Sequence, residues 1–217
     1  MGSTRWRRWS TSTTPARAQR SLADVLAGAT IAAELRFRLD RLVGDAITVW
    51  RVSVVPEDFD ARFSATERGY RYRLVDGATV SPLERFDRWH VGEPLRIGAM
   101  RSAARSLLGE HDFVAFCKRA PGRSTVRRLD EIAVSRPEPG QVHVRLRGPA
   151  FCHTQVRSIV GCLVEVGAGR WEPQQVAQVL VDGDRQQLAR LAPPQGLTLE
   201  RVRFGRRFSS APPTGAR

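Results

Sequence analysis

The sequence predicts an α+β fold built on a mainly antiparallel sheet. Three observations lead there. Two alternating apolar runs, Ile132-Ala133-Val134 and Val142–Leu146, flank the turn Pro137-Glu138-Pro139-Gly140 and read as a hairpin. Apolar residues recur at helical spacing in three separate stretches, around Met100, Val160 and Val176. Strands and helices then alternate without the regular succession that would make a parallel sheet.

Taken in order, residues 2–15 are Ser, Thr, Arg and Trp with neither helical nor strand period, and read as disorder. Thr48–Val55 is a β-branched apolar run ended by Pro56, which predicts a strand. Phe63–Leu74 predicts the next, with Phe63, Ala65, Tyr70 and Tyr72 as its apolar or aromatic members and a turn at Asp76-Gly77. Pro94 suits a first helical position, followed by Ile97, Met100, Ala104, Leu107 and Leu108 at helical spacing until Gly109 supplies a stop. After the hairpin, Val156, Ile159, Val160 and Leu163 make a helical stripe, and Pro173 opens a shorter helix through Val176, Val179 and Leu180. Leu197–Phe204 predicts a last strand before a Pro/Ser/Gly-rich tail, and no internal repeat is visible.

The chain has 217 residues, room for one domain or two small ones. Cys117, Cys152 and Cys162 are odd in number and lack CxxC spacing, so neither a disulfide framework nor a zinc site is expected, and a reducing cytoplasm fits. No apolar run approaches the roughly 20 residues of a membrane span, and the basic N-terminus is followed by no signal-peptide core. The formal net charge of +13 comes almost wholly from arginine, Lys118 being the sole lysine. Arginine forks match phosphate oxygens bidentately, which points to a polyanion; codon bias in a high-GC genome is the competing account of the missing lysine.

Two segments carry the chemistry. In the first, Ala61–Tyr72, Arg68 and Arg71, with Arg73 just beyond, crowd Tyr70 on one strand, an arrangement suited to stacking a flipped base while its phosphates are held; the bland reading is a core aromatic with a bonded hydroxyl. In the second, Phe151–Gly161, Arg157 sits on an apolar helix, where a buried cation needs an anionic partner unless it snorkels at the edge. His153 in the same segment reads either as a structural or as a functional side chain.

Together the two segments resemble the tRNA pseudouridine synthase A family, over about Asp45 to Phe204. The resemblance implies a fold of two ferredoxin-like halves forming one long sheet with a basic cleft, usually as a homodimer in the cytoplasm. It implies isomerisation of uridine to pseudouridine in the tRNA anticodon stem-loop, with no metal or nucleotide cofactor: an aspartate attacks, the N-glycosidic bond breaks, and the base rotates and rejoins through carbon. The absence of GxGxxG and P-loop motifs agrees. By the same resemblance Arg157 partners the catalytic aspartate, Tyr70 contacts the uracil ring, and Arg62, Arg68, Arg71 and His153 are substrate-binding. Two positions depart from the family pattern: Gln155 stands where methionine is usual and Thr154 where a larger polar residue is common.

The family's aspartate lies in a Gly-Arg-Thr-Asp motif, and the sequence contains none; Asp58, Asp60 and Asp112 are in other contexts. Back-translation of Gly2–Pro15 with GC-rich codons, read from the third base, gives VHALAQVVHVDHP, similar to the family's stretch immediately C-terminal to that aspartate. The codons are a free choice. The expectation is that 1–16 is a disordered, out-of-frame segment from a frameshift or misassigned start, 17–58 a remnant of the first half, 59–207 the second half with Tyr70 and Arg157, and 208–217 a flexible tail. A non-catalytic RNA-binding fragment is the alternative, and a generic basic DNA-binding protein is disfavoured for want of any helix-turn-helix, zinc-finger or basic-zipper signature.

Overall fold

The computed structural model describes residues 22–118 and 122–205. The expected segment 1–16 and tail 208–217 lie outside them. The chain divides into two compact units at the Ala61/Arg62 junction.

The first unit is built on α1 (Leu22–Val43), a helix of 22 residues absent from the sequence-based expectation. Over its residues 30–43, Ile31, Leu35 and Leu42 are exposed, so no apolar stripe is buried there. Glu34 and Arg38 pair one turn apart at 2.6 Å, and the Asp40 carboxylate accepts the Val49 amide at 2.7 Å. No described side chain in 30–61 is buried. The expected strand at Thr48–Val55 is not formed. Apolar β-branched residues stabilise a strand only through a neighbouring ladder, and among the described residues this run has none; Trp50 is 86% exposed.

The second unit holds the core. Its sheet centres on β1 (Ala65–Val75), which pairs antiparallel along one edge with β6 (Gln141–Gly148). On the other edge β1 pairs antiparallel with β7 (Leu197–Phe204), then in parallel with the two residues of β2 (Trp89–His90). β5 (Glu131–Glu138) closes the far side against β6 around Gly140, whose φ of 77° suits the hairpin turn. The observed sheet is therefore mainly antiparallel, as expected. A separate ribbon joins β3 (Gly109–Asp112) to β4 (Val126–Leu129).

Three helices supply the apolar face: α2 (Ile97–Arg105), α3 (Gln155–Gly167) and α4 (Pro173–Asp182). Tyr72, Leu74, Val144 and Leu146 from the sheet cluster with Met100, Leu107, Ile159 and Leu163, all essentially inaccessible. α4 starts at Pro173 as expected, reinforced by a reciprocal Glu172/Gln175 capping box. α2 begins three residues after Pro94. The reason is Asp76: its carboxylate accepts the Leu95 amide at 2.9 Å, and Arg136, which holds Asp76 with both guanidinium nitrogens, also donates to the Leu95 carbonyl at 3.1 Å. With both Leu95 backbone groups taken, the first turn forms beyond it.

The structure also corrects the cysteine expectation. Cys117 and Cys152, 35 residues apart, are paired as a disulfide with their Cα atoms 5.7 Å apart, because the segment after β3 and the approach to α3 converge. Sequence spacing carries no information on such convergence. Cys162 is free and buried, and burial pushes its thiol up to about 11, so it stays protonated at neutral pH.

One glycine sets the position of α3. A Cβ at Gly161 would meet the Arg190 carbonyl oxygen at 2.1 Å and the Ala192 amide at 3.5 Å. Gly161→Ala gains about 0.8–1 kcal/mol of helix propensity, but the obstruction is backbone and cannot rotate away. Overpacking of this kind costs roughly 1–3 kcal/mol and outweighs the gain, so the variant should show a lower urea midpoint with an unchanged m-value. A midpoint equal to or above the parent would show that 190–192 yields freely.

Candidate active site

The second expected segment enters α3 through a tight approach. Thr154 adopts φ 71°, the only positive φ at a non-glycine among the described residues, and a strained one for a β-branched side chain. Its hydroxyl donates to the Phe116 carbonyl at 3.2 Å and accepts the Lys118 amide at 3.1 Å, while that amide also reaches the His153 carbonyl at 2.9 Å. Gln155 is buried at 1% exposure and its side-chain oxygen accepts the Cys152 amide at 2.9 Å. The two departures noted in the sequence thus lock the turn through polar contacts.

In the first turn of α3, Arg157 is half-buried. Its Nε donates to the Ala192 carbonyl at 2.6 Å, and the Ala192 amide returns a bond to the Arg157 carbonyl at 3.3 Å. Among the described residues no carboxylate pairs with Arg157. Its charge lies close enough to Tyr72 to oppose the rise that burial imposes on that phenol, whose hydroxyl donates to the Pro193 carbonyl at 2.5 Å.

Tyr70 stands on β1 opposite Leu146 of β6. Its ring meets Phe151 edge-on, with centroids 5.1 Å apart and planes at 84°. Burial pushes the Tyr70 hydroxyl above its ordinary value, with the Arg68 charge opposing, so the group is a proton-bearing donor at neutral pH and not a phenolate. Tyr70, Phe151, His153 and Arg157 line one cavity of about 470 Å³, together with Arg62, Pro194 and Leu197. The two sequence segments therefore meet in space.

The expected arginines divide. Arg62 and His153 line the cavity. Arg68 instead donates to three backbone carbonyls, of Pro149 at 2.6 Å, Ala65 at 3.3 Å and Arg62, and so holds the approach to β1. Arg71 pairs with Glu200 and borders a different cavity of about 490 Å³. That larger cavity has no residue of the second segment, and Arg147 on its wall is already paired with Glu67 at 3.1 Å and Glu131 at 3.0 Å. Period two along β1 turns the Tyr70 and Arg71 side chains to opposite faces, although Tyr70 borders the larger cavity as well. Phe151 and the Ala192 carbonyl are site components to which the sequence reading gave no role, although Phe151 opens the Phe151–Gly161 motif; Gln155, singled out there as a departure from the family pattern, lines the cavity.

A family model described as tRNA pseudouridine synthase matches residues 103–205. The "tRNA pseudouridine synthase A" of Geobacter sulfurreducens is 41% identical over 169 residues, covering 76% of this chain and 68% of that protein. The chain belongs to the tRNA pseudouridine synthase A family. The proteins of that name from Frankia casuarinae and Streptomyces avermitilis are 44% and 42% identical, over 77% and 76% of this chain. The chain spans about three fifths of their length, 61% and 60%. The family match runs through β5, β6, α3, α4 and β7, and so includes the Phe151–Gly161 segment and the Arg157 site. No helix among the described residues is long and apolar enough to cross a membrane.

Proposed function

We propose that this site holds a target uridine of the tRNA anticodon stem-loop for isomerisation to pseudouridine. The observation that carries the reading is the convergence of Tyr70 and Arg157 on one cavity, the first with a protonated hydroxyl and an edge-packed ring, the second without a carboxylate among the described residues. A flipped uracil is recognised by its π-face and by donors to its edge, which Tyr70 supplies, with Phe151 holding the ring in place. Arg157, fixed by the Ala192 carbonyl, presents its remaining guanidinium nitrogens to an anion. That anion is the nucleophilic aspartate, carried by a Gly-Arg-Thr-Asp segment that the sequence does not contain. The second unit is read as the second of two ferredoxin-like halves, α1 as part of the first, and the working form as a cytoplasmic homodimer.

The missing motif favours a second reading for the 217-residue chain, RNA binding without turnover. Tritium release from uracil-labelled tRNA transcript decides between them. The 217-residue chain should bind tRNA and release none, whereas a protein extended upstream with the Gly-Arg-Thr-Asp segment, read in the alternative frame, should release tritium and form pseudouridine in the anticodon arm. Turnover by the unextended chain would show that its nucleophile is present after all; silence in a folded, extended protein would remove the synthase reading. In the extended protein Tyr70→Phe keeps the ring and loses only the hydroxyl, so kcat should fall while tRNA affinity holds. Equal turnover would leave Tyr70 as a packing residue.

A further inference from the structure

Beside the Tyr70/Arg157 cavity lies a second, of about 420 Å³, and the two share a wall formed by Arg62, Phe151, Cys152 and His153. The second cavity adds Lys118, Arg123 and Arg127 with the hydroxyl residues Ser124 and Thr125. Among the described residues no carboxylate lines it. This sets it apart from the cavity of about 490 Å³, which Glu131 and Glu200 line and where Arg71 and Arg147 are paired with glutamates. Among the described residues neither Lys118 nor Arg123 has a carboxylate within pairing distance. The Arg127 Nε is buried and meets no acceptor. Asp112, which is not in the lining, accepts from the Thr125 hydroxyl at 2.5 Å and from the Val114 amide at 3.0 Å.

Three added cations without counter-charges, one of them with an unmet buried donor, make a site for an anion. We propose that this second cavity binds the backbone phosphate of the nucleotide adjoining the flipped uridine. The inference rests on the functional reading of the first cavity: a strand with its base across Tyr70 continues past the shared wall of Arg62 and His153 into the second. Lys118 supplies a compact charge and Arg123 and Arg127 supply forks matched to phosphate oxygens. Such contacts set the register of the RNA without reading its sequence.

The test uses the full chain with a fluorescently labelled, unmodified tRNA transcript, titrated over a salt series. Removing one phosphate contact should reduce the slope of log K against log salt by about 1 and weaken binding about tenfold near 0.1 M salt. Lys118→Gln and Arg123→Gln, both exposed and therefore compatible with folding, should each show that change, and Lys118→Arg should restore the slope. Arg128→Gln is the control. It removes the same charge from β4, but Arg128 is paired with Asp130 at 2.8 Å and lies outside the cavity, so its slope should stay near that of the parent. Parent-like slopes for Lys118→Gln and Arg123→Gln, or an equal change in Arg128→Gln, would overturn the phosphate site while leaving the first cavity's reading intact. A parent chain that binds no tRNA would overturn both.

Discussion

Asp76→Ala should cost about 3 kcal/mol of stability, more than any surface substitution in this chain. Asp76 is 2% exposed and is held by both guanidinium nitrogens of Arg136 and by the Leu95 amide. Breaking a buried pair by removing one partner costs roughly 3–5 kcal/mol, because the remaining charge is left uncompensated. The Arg136 side chain is 34% exposed and can recover some hydration, which places the effect at the lower end. Glu34→Ala provides the contrast: its pair with Arg38 is exposed on both sides, at 56% and 71%, and should change stability by no more than about 0.5 kcal/mol.

The pH dependence of that difference is set by the direction of the Asp76 shift. Burial alone would raise its carboxyl, but the Arg136 hydrogen bonds, the Leu95 amide and the Arg136 charge outweigh it, and the net shift is downward. A depressed folded-state value means that stability is fully present above the ordinary carboxylate range near 3.9 and is lost as pH falls through the folded value. Urea unfolding of parent and variant should therefore differ most at neutral pH and converge below about pH 4. A difference that persisted unchanged into strong acid would mean that Asp76 acts by packing alone.

Arg157→Met, made in the upstream-extended protein, should lower kcat about a hundredfold or more with little effect on tRNA affinity. A preorganised charged donor at a reacting group is worth on the order of 3–4 kcal/mol of transition-state stabilisation. Met keeps most of the apolar stem against α3, so the substitution chiefly removes the guanidinium and its bond to the Ala192 carbonyl. Arg157→Lys should recover only part of the rate, since an ammonium lacks the fork that serves the carbonyl and the carboxylate together. Single-turnover and binding measurements separate the outcomes: loss of affinity at unchanged kcat would make Arg157 a phosphate contact and not the partner of a nucleophile.

The Phe151–Gly161 segment shows how much of the site was legible in one dimension. Arg157 was left open by helix pattern alone, which suits a snorkelling cation as well, and was singled out by the family motif; Tyr70 was singled out because basic residues crowd it on a strand. The roles of the surrounding arginines were not legible. Arg62, Arg68 and Arg71 look alike along the chain, yet one lines the cavity, one holds three carbonyls and one faces Glu200 across the sheet. Features whose environment is local were legible, such as Pro173 at the start of α4 and the Leu197–Phe204 strand, both of which formed where expected.

By itself the sequence determined the longer strands and the helices of the second unit, their antiparallel class and the family, but not the short β2, β3 and β4, because period, turn residues and motif identity are properties of neighbours along the chain. The tertiary structure decided what depends on distant partners. Thr48–Val55 has a strand's composition and no ladder; the α2 start was moved by Asp76 and Arg136, 19 and 41 residues from the Leu95 backbone they hold; Cys117 found Cys152 across 35 residues. In each case the deciding free energy comes from a pairing formed only when the chain has folded, and one-dimensional spacing does not encode which groups will meet.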